Sequence, residues 1–85
     1  MSHQHNALGV LPIQLAVANA SPGSWEDAFV TAVCDDMVET VSMADGRVRA
    51  FVSSAELEIG DPVGLHLVAE LISAGPRRYT ARAAR

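Results

Sequence analysis

Apolar and polar residues alternate in the first part of the chain. Between residues 7 and 18, four large apolar residues occur at every second position: Leu11, Ile13, Leu15 and Val17. Because successive side chains of a β-strand point to opposite faces, a period of two is typical of a strand. We therefore predict a first strand over residues 7–18, after a disordered start over residues 1–6. The apolar run is not a secretion signal on this interpretation, since no Lys or Arg precedes it.

Turn-forming residues separate the next strand-like runs. Residues 19–24 read NASPGS, and Asn, Pro, Gly and Ser are the residues that turns favour. The run 27–34 is rich in β-branched residues and ends at Asp35 and Asp36. Two adjacent acids at this place are typical of a solvated turn.

Asp45 and Gly46 form the clearest local signal. Asp-Gly between two strand-like runs is typical of a type I′ hairpin turn, because both central residues of that turn need a positive φ. This turn predicts a register in which three pairs of residues face each other: Met43 and Val48, Ser42 and Arg49, and Val41 and Ala50.

The second half of the chain contains more runs of this kind. Residues 53–62 are predicted to be a connection that can include one helical turn, since Ser53 and Glu56 are at the spacing of a capping box. A long strand follows over residues 63–72, and SAGPR then turns the chain into a last strand.

The runs add up to five or six short strands with short connections and almost no helix. Short strands at nearly regular spacing are typical of small barrels. We predict an all-β fold in which residues 7–85 form one domain, a small five- to six-stranded antiparallel barrel that is OB-like or SH3-like.

The composition is apolar for a chain of this size. Of the 85 residues, 49% are hydrophobic, although a small domain buries only a modest share of its surface. We interpret the surplus as a surface for self-association and predict a homo-oligomer. No apolar run reaches the roughly 18 residues of a membrane span, and the single Cys34 excludes an internal disulfide. These features predict a cytoplasmic protein without membrane contact, and basic residues that are all arginine indicate a GC-rich, bacterial genome.

Basic residues are concentrated at the end of the chain. The formal net charge is −4, yet the last nine residues, RRYTARAAR, hold four arginines and no acid. This end is suited to docking on a protein partner, or to binding the phosphates of a nucleic acid. The net negative charge and the 5% aromatic content disfavour nucleic acid. The residues of that alternative are Arg47, Arg49, Arg77, Arg78, Tyr79 and Arg82.

His66 lies in the middle of the predicted strand 63–72. One face of this strand is uniformly apolar and consists of Val63, Leu65, Leu67, Ala69 and Leu71. His66 lies on the other face, beside the gap that Gly64 leaves. It is either a half-exposed histidine that packs on a neighbouring strand, or a ligand or proton-exchanging group that residues from elsewhere complete.

The stretch GDPVGLH resembles a motif of the small hydrogenase-maturation chaperones. Gly60, Asp61, Val63 and His66 match the GDxVxxH strand of that family, and the resemblance covers about residues 28–72. It implies a five-stranded barrel in which His66 helps to hold an iron delivered to a hydrogenase. The family carries a cysteine next to its initiator methionine, where this chain has Ser2.

The remaining chemistry-bearing residues have simple interpretations. Cys34 precedes two acids, which disfavour its thiolate, so we predict a small buried apolar residue. His3 and His5 belong to the predicted solvated start, where they would bind copper or nickel only weakly.

The function that these features favour is a small non-catalytic accessory or interaction module that binds a protein partner or self-associates, without a cofactor. We predict no enzyme, because the chain has no nucleophile elbow, zinc-protease motif, phosphate loop or dinucleotide motif. The predicted partner-binding residues are Gly64, His66, Glu70, Arg77, Arg78 and Arg82. Alternatives are a metallocentre-maturation chaperone with His66 as metal ligand, and an OB-like nucleic-acid binder.

Overall fold

The computed structural model describes residues 10–84 and consists of one helix and seven strands. In chain order these are α1 (Pro12–Ala20), a 3₁₀ turn (Pro22–Ser24), β1 (Trp25–Cys34), β2 (Met37–Ser42), β3 (Val48–Val52), β4 (Pro62–His66), β5 (Leu71–Ala74), β6 (Arg77–Thr80) and β7 (Arg82–Ala83). All strand pairs are antiparallel, and the order in the sheet is β6-β5-β4-β1-β2-β3-β7. The predicted all-β small barrel is confirmed, with seven strands instead of five or six.

The last part of the chain almost closes the barrel. β6 pairs with β5 at one side of the sheet, and β7 pairs with β3 at the other side, although only Ala81 separates them. The N–H of Ala81 donates to the carbonyl of Glu70. One bent segment therefore joins the two ends of the sheet, because each of its halves has a different strand partner.

The interior is lined by small and medium-sized apolar side chains. The buried cluster contains Ala28, Val30, Val38, Phe51, Val63, Leu65, Ile72 and Ala81. Along β2 the exposure alternates strictly, as a period of two requires, and places Val38, Thr40 and Ser42 inside. An ion pair of 2.6 Å between Arg49 and Glu26 joins β3 to β1, two strands that are not neighbours in the sheet.

A β-bulge in β1 determines which residues face outward. The pairing with β2 shifts between Val30 and Ala32, so that Thr31 is the extra residue. Before the bulge Phe29 faces outward opposite Val41, and after it Cys34 faces outward opposite Met37. Cys34 is exposed, so the prediction that it is buried is wrong.

The strand predicted over residues 7–18 is wrong for the described part, because residues 12–20 form a helix. Pro12 occupies the first helical turn, where a backbone N–H would have no partner within the helix, so its missing N–H breaks no helical bond. The side chain of Gln14 accepts the N–H of Leu11 at 2.8 Å and so caps the start of the helix. The helix turns Val17 and Ala18 toward the rest of the protein. Ile13, one of the alternating residues, is exposed instead.

The prediction of one continuous strand over residues 63–72 is wrong. This strand is interrupted at residues 67–70, so that Leu67 is partly exposed and Ile72 joins the interior. The predicted connection runs from residue 53 to residue 61, but its helical turn does not form, and Ser53 Oγ instead accepts the N–H of Ala55.

The hairpin between β2 and β3 has a longer loop than predicted. Asp45 and Gly46 are the two residues that were predicted to form the turn, and only Gly46 has a positive φ, 72°. The turn is therefore not of type I′, which needs a positive φ at both residues. The Asp45 carboxylate accepts the N–H of Arg47 at 2.9 Å, and this bond lowers the pKa of Asp45. The five-residue loop shifts the register by two residues: Val41 faces Val48, Thr40 faces Arg49, and Glu39 faces Ala50.

Two-residue turns close the β1–β2 and β5–β6 hairpins. Cys34 pairs with Met37, and Ala74 pairs with Arg77. Asp35 and Gly75 each take the first turn position with positive φ, 54° and 60°. Asp35 and Asp36 are therefore turn residues, as predicted.

We expect Gly75→Ala to lower the free energy of unfolding by about 1 kcal/mol, because a Cβ disfavours positive φ. No heavy atom lies within 4 Å of the added Cβ, so the loss is purely conformational. Gly23→Ala is the matched control, with open space and no positive φ. Urea unfolding followed by the fluorescence of the single Trp25 measures both variants. Equal stability of the two variants would contradict this account of the turn.

Candidate functional site

His66 is fully buried and both of its ring nitrogens are engaged. Its Nε2 lies 2.9 Å from the carbonyl oxygen of Ser21, and its Nδ1 accepts the N–H of Ala69 at 3.1 Å. Because Nδ1 accepts, the proton is on Nε2, which donates to Ser21. The ring thereby connects the end of β4 to the β4–β5 turn and to the residue that follows α1.

The predicted half-exposed position of His66 is wrong, since other parts of the chain cover its face of the sheet. The indole of Trp25 meets the imidazole edge-on, with 5.1 Å between ring centroids. A metal ion at His66 would have to replace its bond to Ser21 or its bond to Ala69, and the bond to the N–H of Ala69 is buried.

The gap beside Gly64 is filled by Trp25. A Cβ on Gly64 would approach Trp25 Cε3 to 3.3 Å, so a side chain there would press the indole away from β4 by a few tenths of an ångström. The guanidinium of Arg78 lies 5.8 Å from the centroid of the indole ring. Gly64, His66 and Arg78, three of the predicted binding residues, therefore meet around Trp25.

Helix α1 packs against the same end of the barrel. Gln14 Nε2 donates to the carbonyls of Ala69 and Glu70, at 2.9 and 3.1 Å, and lies 3.3 Å from Thr80 Oγ1. A second buried cluster, with partly buried neighbours, lies beneath the helix and consists of Val10, Val17, Ala18, Trp25, Ala69 and Leu71. The His66 region is therefore a structural junction between helix, turn and barrel.

The predicted arginine-rich surface is divided over several sides of the molecule. Arg78 lies against Trp25, whereas Arg77 lies in a groove with Glu56 and Arg82 lies in another with Asp36. A hydrogen bond with Tyr79 raises the pKa of Arg77.

Two other residues of the nucleic-acid alternative already have a place in the structure. Arg49 forms an ion pair with Glu26, and the ring of Tyr79 is buried. Arg47 is exposed next to Asp45. The structure thus does not bring the six residues of this alternative together on one face.

Metal-ligating residues are likewise scattered. Within residues 10–84 no group of three or more His, Cys, Asp or Glu side chains is placed to hold a metal ion. His3 and His5 lie outside the described residues. In the same part of the chain, no helix has the length and apolar character to cross a bilayer.

A row of apolar residues crosses the outer face of four strands, and sequence analysis did not predict it. Pro62 faces Phe29, Phe29 faces Val41, and Val41 faces Val48. Phe29 is 39% exposed and Val48 is 59% exposed. We call these four residues the outer apolar row. Its members are far apart in the sequence, and only the bulge and the shifted hairpin register align them.

A second apolar group lies on the same face, four residues away from the outer apolar row along β2. Cys34, Met37 and Val52 face one another across β1, β2 and β3. Between the two groups lies Glu39, whose carboxylate accepts the hydroxyl of Thr31 at 2.8 Å. This face is therefore mostly apolar, and its central acid is already hydrogen-bonded.

Comparison with protein-family models, curated proteins and solved structures identifies no similar protein.

We expect His66→Ala to lower the free energy of unfolding by about 3–5 kcal/mol, since it creates a cavity, removes the bond to Ser21 and leaves the buried N–H of Ala69 without a partner. The free energy of unfolding of His66→Asn should lie between those of the native protein and His66→Ala. The short amide of asparagine can accept the N–H of Ala69 but does not reach Ser21. Urea unfolding followed by Trp25 fluorescence measures the series. A stable, unchanged His66→Ala protein would show that the ring does not hold this junction together.

Proposed function

We propose that this chain is a small non-catalytic accessory module that acts by binding a protein surface, either a partner's or that of a second copy. The observation that supports this proposal is the outer apolar row of Pro62, Phe29, Val41 and Val48. A single exposed apolar residue is ordinary, but a contiguous apolar patch is typical of an interface.

The physical driving force is the removal of this face from water. Burial of a valine or phenylalanine side chain contributes about 1.5–3 kcal/mol relative to its exposed state. The second apolar group of Cys34, Met37 and Val52 extends the patch along the same strands. Because Glu39 is already bonded to Thr31, its charge has a hydrogen-bond partner when a second surface covers it.

The two alternatives receive less support. An iron-delivery role would use His66, whose nitrogens are bonded to Ser21 and Ala69. A nucleic-acid role would need the arginines on one face, and Arg49 is paired with Glu26. A cytoplasmic location is part of the proposal, and its support is the single thiol of Cys34, which has no second cysteine in the chain to pair with.

We expect Phe29→Lys to weaken self-association by about tenfold or more. The substitution removes one apolar side chain from the row and places a charge in its centre. Light scattering at increasing protein concentration measures the mean mass of the native chain and of the variant. Ile59→Lys is the matched control, because Ile59 is 71% exposed in the 53–61 loop and outside the row.

The expected result is a mass that rises with concentration for the native chain and for Ile59→Lys, and less for Phe29→Lys. Binding of a hydrophobic dye provides a second readout of the exposed row. If the native chain remains monomeric and binds the dye no better than Phe29→Lys, the row is not a binding surface.

A further inference from the structure

A groove of about 470 Å³ opens on the outer face of the sheet, beside the outer apolar row. Four of the residues that line it form one row of cross-strand pairs over β1, β4, β5 and β6. Asp27 faces Gly64, and Gly64 faces Ser73. Ser73 in turn faces Arg78. The groove therefore crosses the strands, with an acid at one end and an arginine at the other.

The stretch between the two charged ends is narrow in side chains and mostly apolar. Gly64 has no side chain, and Ser73 has only a hydroxymethyl group. Trp25 lines the groove on the side of His66, and Pro62 lines it on the side of the outer apolar row. Because β4 is paired with both β1 and β5, its backbone groups are used within the sheet. An occupant of this stretch therefore meets an apolar surface and one hydroxyl group.

The charges at the two ends are free to bind an occupant. Across residues 10–84 one ion pair forms, between Arg49 and Glu26. Arg78 and Asp27 are both exposed and have no oppositely charged side-chain partner in that part of the chain.

The distance between these charges sets the size of the occupant. Three strand spacings, about 14 Å, separate the Cα atoms of Asp27 and Arg78. The guanidinium of Arg78 extends back over the groove, to 5.8 Å from the centroid of the Trp25 ring. An occupant with one charge satisfies one end only, whereas a small molecule with a carboxylate and a well-separated ammonium group satisfies both.

We propose that the groove binds a small zwitterion of the ω-amino carboxylate class. The carboxylate accepts from the guanidinium of Arg78 and the hydroxyl of Ser73, and the ammonium group donates to the carboxylate of Asp27. The methylene chain lies over Gly64, against the indole of Trp25. Such a chain suits the middle of the groove, because it has no polar group that would be buried there without a partner.

The probe that tests this proposal is ε-aminocaproate, which carries the two charges at the ends of an unbranched methylene chain. Trp25 is the single tryptophan and lines the groove, so titration should change its fluorescence. In the labelled protein, nuclear magnetic resonance should show shifts of the amide resonances of Gly64 and Ser73. Caproate lacks the ammonium group and hexylamine lacks the carboxylate, so each should bind about fivefold or more weakly.

Protein variants assign each charge to its end of the groove. Arg78→Gln should weaken binding of ε-aminocaproate and caproate about fivefold or more and leave hexylamine unchanged. Asp27→Asn should weaken ε-aminocaproate and hexylamine and leave caproate unchanged. Arg78→Lys retains the positive charge and should retain most of the binding. Arg47→Gln and Glu58→Gln, at exposed positions outside the groove, are the matched controls and should change none of the three.

Three results would overturn the inference: no response of Trp25, Gly64 or Ser73 at high millimolar probe, equal binding of the zwitterion and its two singly charged analogues, or equal effects of the groove variants and their controls.

This inference goes beyond the proposed function, because the ligand is a small molecule and the groove is a site additional to the outer apolar row. Pro62 is the residue of that row that lines the groove, whereas Val48 lies at the other end of the row, on β3. Val48→Lys therefore separates the two proposals. It should weaken self-association and leave the binding of ε-aminocaproate unchanged.

Discussion

The buried imidazole of His66 is the constraint on which the rest of the structure depends. A ring without solvent contact must find partners for both nitrogens inside the protein, and here they are the carbonyl of Ser21 and the N–H of Ala69. These bonds end β4, shape the β4–β5 turn and hold the chain after α1. Trp25 packs on the ring, and the absence of a side chain on Gly64 lets its indole lie close to β4. The helix, the turn and the start of β1 thus depend on one residue.

Closure of the barrel depends on a very short last strand. The last segment must serve both ends of the sheet, so it bends at Ala81 and leaves only Arg82 and Ala83 to pair with β3. The N–H of Ala84 then donates to the carbonyl of Ala50 and continues this pairing. The outer apolar row has a different origin, since the bulge at Thr31 and the hairpin loop set the register that aligns it. The proposed surface therefore follows from the strand register and not from the closure of the barrel.

Local patterns in the sequence predicted the all-β barrel, the Asp35-Asp36 turn and a strand that contains Val63 and Leu65. They failed where a distant contact decides the outcome. The alternation before residue 18 gives way to a helix, because Gln14 bonds to Ala69 and Glu70, more than fifty residues away. The burial of His66 depends on Ser21, 45 residues earlier in the chain. No local spacing contains such pairs, and the half-exposed position that the strand pattern predicted for His66 is therefore wrong.

The residues that hold the fold together are largely distinct from those that we propose for binding. An apolar replacement of His66 would leave the buried N–H of Ala69 unpaired, so its cost falls on stability. Phe29, in contrast, faces outward, and its replacement removes little from the interior. Glu70 belongs to the first group through its backbone, because its carbonyl accepts from Gln14 and Ala81. The proposed surface can therefore be altered at Phe29 while the bonds around His66 and Glu70 stay in place.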